Sequence, residues 1–113
     1  MTLLDFENQI VNAAIASSIC DIPRVVRLSS TAIKLRVEII TGDFIDAFYN
    51  EETNTTAYAL IRQGQRVFGA DNTGGWHLHP FIDPNRHEHI SGSLSFVEFV
   101  AEIERQYSQD VGK

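Results

Sequence analysis

The sequence predicts an α+β fold, a two-layer sandwich in which an antiparallel meander carries an N-terminal and a C-terminal helix on one face. Three observations point there. Apolar residues recur at helical steps near the start of the chain, at two-residue steps through its middle, and at helical steps again near its end. With 113 residues, 43% of them hydrophobic, the chain suffices for one core and one domain over 1–113, whereas two domains would each be marginal.

Leu3, Phe6, Ile10, Ala14 and Ile15 keep helical spacing with Asp5, Glu7, Asn8, Gln9 and Asn12 largely between them, so a helix capped by Thr2 is expected over 3–18. Pro23 bars its continuation, because proline lacks the amide hydrogen and disfavours helical backbone before it. A strand follows at Val25 to Ser29, and Ile33, Leu35, Val37 and Ile39 then alternate with Lys34, Arg36 and Glu38. Thr41-Gly42-Asp43 turns the chain into a strand over Phe44 to Tyr49. Asn50 to Thr55 is polar and expected to be an exposed loop. Ala57 to Arg62 is the next strand, and Gln63-Gly64-Gln65 turns it into Arg66 to Ala70. Connections this short imply antiparallel neighbours, hence a meander of about four or five strands.

The last helix has the clearest start. Ser95 with Glu98 forms a capping box, and Leu94 with Phe99 a hydrophobic staple. Phe96, Phe99, Val100, Ile103 and Tyr107 make one apolar stripe that must cover a sheet, leaving the opposite sheet face open for a ligand. Sheet edges at Val25 to Ser29 or Arg66 to Ala70 would expose unpaired backbone groups, and pairing with a second chain removes that liability, so a homodimer is expected.

A net charge of −6 speaks against indiscriminate nucleic-acid binding. The charge is uneven, however. Arg24, Arg27, Lys34 and Arg36 lie in an acid-free stretch, Arg62 and Arg66 follow, and Glu98, Glu102, Glu104 and Asp110 make the C-terminal end acidic. Asp5 and Glu7 stand where an export signal needs Lys or Arg, and no apolar run reaches the roughly 20 residues of a membrane span. A soluble, cytoplasmic protein is expected, with no membrane association. The single cysteine, Cys20, cannot form an internal disulfide and reads as a small core residue at a helix end.

Residues 68–90 concentrate the chemistry. All four histidines lie there as two HxH pairs, His77/His79 and His87/His89, with the only tryptophan, Trp76, and with Asp71-Asn72. Residues two apart on a strand point the same way, ~6.6 Å apart along the chain, so each pair can present both rings to one space. Two chemistries fit. Facing pairs could surround a metal at the ~2.0–2.1 Å distances of histidine ligands, with an oxygen from Asp71, Asp83 or Glu88, in a metal-dependent hydrolase. Alternatively, imidazoles could act as base and acid on a phosphodiester with no metal or other cofactor, while Arg62, Arg66 or Arg86 neutralises phosphate. Trp76, Phe81 and Tyr58 would then offer stacking surface for an unpaired base. The structural alternative is that Trp76 and Phe81 close the end of the core and the histidines bond backbone carbonyls. The prolines at 80 and 84 and the glycines at 74 and 75 leave the path of this segment open.

The order of these features resembles the TumE-type toxins of prokaryotic toxin–antitoxin pairs, which show an Asp-Asn dipeptide, then histidines, then a Pro-His-His-Lys-His run. Asp71-Asn72, His87 and His89 match as they stand. Asn85 and Arg86 occupy the places of that run's proline and first histidine, Glu88 replaces its lysine, and the Gly74 to His79 connection is longer than usual. The likeness spans roughly residues 24–107. It implies a ribonuclease-like toxin acting on RNA and neutralised by an antitoxin protein. His87 and His89 would transfer protons with His77 or His79 as second partner. Asp71 would orient an imidazole, Arg86 would hold phosphate, and Asn72 would join Arg66, Arg62, Tyr58 and Trp76 in contacting substrate. A non-catalytic homodimeric module of the same fold is the rival.

Overall fold

The computed structural model describes residues 1–83 and 85–111, so Pro84 of the histidine segment lies outside the described residues. Helix α1 (Leu3–Ala16) is followed by β1 (Arg24–Leu28), β2 (Ala32–Glu38), β3 (Phe44–Asn50), β4 (Thr55–Arg62) and β5 (Gln65–Asp71), then by β6 (His77–His79), β7 (Glu88–His89) and helix α2 (Phe96–Val111). All seven strands join one antiparallel sheet whose spatial order is their sequence order. The α+β sandwich with a helix at each end is the expected architecture. The strand count is not, because the histidine segment supplies two more strands than the four or five anticipated. Strands of three and two residues are too short to show an alternation, and glycine and proline flank them.

Both helices begin on reciprocal caps. The Thr2 side chain accepts from the Asp5 amide at 3.0 Å while the Asp5 carboxylate accepts from the Thr2 amide at 2.9 Å. Ser95 and Glu98 repeat the arrangement at α2, at 3.2 and 3.0 Å. α1 ends at Ala16, two residues earlier than its sequence suggests, where Ser17 turns to extended backbone. Its inward face is Phe6, Ile10, Ala13 and Ala14, while Ile15, expected inside, is 71% exposed. A helix turns 100° per residue, so burying the Ala13–Ala14 edge carries Ile15 outward.

Two aromatic stacks fix the helices on the sheet. Phe6 of α1 lies 5.2 Å from Tyr49 of β3. Phe99 of α2 is fully buried against Phe68 at 4.8 Å and Tyr58 at 5.3 Å. Burial of side chains this large contributes roughly 1.5–3 kcal/mol each. Between them the Ser17 hydroxyl donates to Glu104 at 2.8 Å, joining the end of α1 to α2.

Alternation then sorts the strands. Leu35, Ala47, Tyr58 and Ala70 pair side by side toward the helices, and the residues between them face the uncovered side. β5 is an interior strand, paired with β4 and β6, so the edge expected at Arg66 to Ala70 does not exist. Among the described residues the edges are β1 and β7.

Candidate functional site

The site is built by register. β5 pairs Gly69 with His79 and Asp71 with His77, and β6 pairs His77 with His89. Directly opposed residues share a face, so Asp71, His77, His79 and His89 stand together on the uncovered side, and His87, two residues before His89, joins them. The His77 and His89 Nε2 atoms are 3.2 Å apart, a hydrogen bond in which one ring supplies the N–H and the other the lone pair. The His87 ring meets His79 edge-on at 4.4 Å and lies 5.9 Å from His77.

The four rings differ in access. His87 and His89 are exposed and His77 is half-buried. His79 is only 3% exposed and donates from Nε2 to Asp71 Oδ2 at 3.1 Å. Its Nδ1 is buried with no hydrogen-bond partner among the described residues. Burial pushes the Asp71 carboxyl upward, but the hydrogen bonds from His79 and the Thr73 amide, with the nearby His79 and His77 rings, outweigh it. The acid therefore ionises below its usual range. Gly69 makes the packing possible: a Cβ there would lie 2.9 Å from Arg66 Cδ and 3.2 Å from the Tyr58 carbonyl oxygen. Without one, the Arg66 stem and the His79 ring close over the strand.

No family model matches the chain, and neither does any curated protein or solved structure. What this surface can do must follow from its own side chains. An exposed imidazole pair next to a buried His–Asp pair can exchange protons with a ligand, and Arg66 brings a cation to the same edge. Arg86 is exposed at the mouth of β7, with its guanidinium 3.5 Å from Glu88. Among the described residues no group of three or more His, Cys, Asp or Glu side chains is arranged to hold a metal ion. Glu88 pairs with Leu78 and so points to the helix side, away from the rings, and the Asp83 carboxylate accepts the Asn85 amide.

Five residues expected to touch substrate lie elsewhere. Arg62 bonds Asp43 at 3.1 Å and Tyr107 at 3.4 Å, beneath α2. Tyr58 is 6% exposed in the core, where burial first and Glu98 second push its phenol up to about 12. Trp76 packs on Tyr58 at 6.1 Å and Phe81 stacks on Phe68 at 4.4 Å, so both close the end of the core. Asn72 is a fastener, accepting from the Thr56 amide and donating to the Asn54 carbonyl. Sequence reasoning overlooked Gly69, although a glycine inside a strand is a signal of close approach.

Proposed function

We propose that the imidazole cluster cleaves RNA without a metal, making this protein a toxin-like ribonuclease of a toxin–antitoxin pair. One observation carries the proposal: four imidazoles, two of them exposed, meet beside Asp71 and Arg66 on a sheet face that no helix covers. One imidazole removes the 2′-hydroxyl proton, the freed oxygen attacks the neighbouring phosphorus, and the P–O5′ bond breaks. A second imidazole, protonated, gives its proton to the departing 5′ oxygen, leaving a 2′,3′-cyclic phosphate. His87 and His89 take these two roles because they are exposed, and His77 assists through its bond to His89. His79 is a positioning residue, held by Asp71 and packed against His87. Arg66 offsets charge on the non-bridging oxygens, whereas Arg86, expected to hold phosphate, is drawn to Glu88. Purified protein with mixed RNA in EDTA should yield fragments ending in cyclic phosphate, and the His87→Ala/His89→Ala double variant should yield none. Equal cleavage by both proteins, or none by wild type, refutes the proposal. An antitoxin partner would act by covering His87 and His89.

One observation favours a second role, a homodimeric assembly module. β1 is an edge strand with Val25 41% and Leu28 65% exposed on the side where the helices stop short of it. Pairing of two β1 strands would cover both. Light scattering that returns only a monomer at micromolar concentration rules this out.

A further inference from the structure

We infer that the open face of the sheet is a track for single-stranded RNA, running from the imidazole cluster to a cationic end at Arg27 and Lys34. The identity of the polymer rests on the ribonuclease proposal, whereas the track rests on strand register. Pairing partners line up across the whole sheet: Arg27 opposes Lys34, Lys34 opposes Phe48, and Phe48 opposes Ala57. Ala57 in turn opposes Asp71, which opposes His77, which opposes His89. A parallel row runs from Arg24 and Arg36 through Asp46 and Ala59 to Gly69 and His79. At ~4.8 Å per strand, Lys34 and His77 are roughly 19 Å apart, a span of several nucleotides.

The shape and charge of that span select the ligand. Its middle is low, because Ala57 and Ala59 carry only a methyl group, and this trough lies between Phe48 and the imidazoles. Phe48 is partly exposed and offers a ring for a base, whereas the Phe44 ring is already covered by the Arg36 guanidinium at 4.0 Å. Among the described residues the acids on strand positions that face this side are Glu38, Asp46 and Asp71; the others sit on the helices, on loops or on the helix side of β7. Arg36 is paired with Asp46 at 3.0 Å and Arg24 approaches Glu38 at 3.9 Å, but among the described residues Arg27 and Lys34 have no ion-pair partner. The chain is acidic overall, yet this face keeps its cations for an anion. A single strand fits better than a duplex, since a shallow face with an aromatic platform reads unstacked bases that a duplex keeps inside.

The test is fluorescence anisotropy with a labelled, uncleavable 2′-O-methyl oligoribonucleotide in EDTA. Each cation lost from a single-strand site lowers the salt slope by about 0.7, so Arg27→Ala/Lys34→Ala should lower it by about 1.4. Between about 50 and about 200 mM salt, wild type should lose about 7-fold more affinity than this variant. Phe48→Ala should weaken binding, and Arg105→Ala on α2 should not. Wild type that binds but cleaves no RNA upholds the track and refutes the ribonuclease. Cleavage together with an unchanged slope in Arg27→Ala/Lys34→Ala refutes the track alone. Absence of binding by wild type, an equal loss in Arg105→Ala, or a dimer that buries this face in solution also overturns it.

Discussion

Replacing Asp71 with asparagine should destabilise the protein by about 1.5 kcal/mol at neutral pH, and the loss should vanish in acid. The Asp71 carboxylate accepts from His79 Nε2 and from the Thr73 amide, both at 3.1 Å. A hydrogen bond to a charged group contributes roughly 1.5–3 kcal/mol. Asparagine keeps an oxygen for Thr73, so the bond at risk is the one to His79, whose ring is 3% exposed and has no other partner among the described residues. Asp71 itself is 25% exposed, which admits some water and places the loss at the lower end of that range. A loss of about 1.5 kcal/mol is roughly a tenfold change in the folding constant and about 6 °C in Tm for a domain of this size.

The pH dependence has a definite sign. Asp71 ionises below its ordinary value when folded, so its contribution is fully present above the unfolded-state value, ~3.9, and fades as pH falls through the folded one. Urea titrations followed by Trp76 fluorescence at pH 7 and then toward pH 3 should show the two proteins converging. Equal stability at pH 7, or a gap that persists unchanged below the folded-state value, would refute the role assigned to this bond.

Three further outcomes follow from the core and caps. Phe99→Ala should cost about 3–5 kcal/mol in urea titration because the ring is fully buried between Phe68 and Tyr58; a loss under about 1 kcal/mol contradicts that packing. Ser95→Ala should cost about 1 kcal/mol, read in the same titration, and a neutral result would mean α2 does not depend on its cap. Burial pushes the Cys20 thiol up, and Glu104 adds to this against a hydrogen bond involving Ser17, so thiol-specific labelling at pH 8 should be slower in the native than in the urea-unfolded protein. Equal labelling rates would place Cys20 in solvent.

The frame of this fold was legible because its signals are local. The capping box at Ser95, the alternation from Ile33 to Ile39 and the Gln63-Gly64 turn each act over a few residues. At that turn the structure has φ 52° and 78°, as a tight hairpin requires. The end of α1 was less legible, since Ile15 and Ala14 compete for one inward position and only the packing on β2 and β3 decides it. β6 and β7 were illegible for a different reason. Pairing with β5 makes them strands, and no property of their own few residues does so.

The same distinction explains which site residues could be read in advance. Each HxH pair shares a face by its spacing alone, so the likeness within each pair was visible, and the antiparallel pairing of β6 with β7 then set one pair against the other. Trp76 lies one position from His77, and in a period of two that single step sends it through the sheet to Tyr58. Tyr58 likewise neighbours Ala57, which lies in the row of Asp71 and His77, yet it points into the core. Lys34 and Phe48, far from the histidines in sequence, have the parity that puts them on the same face. Parity along a strand and register across it, more than nearness in the chain, determine what a ligand on this sheet would meet.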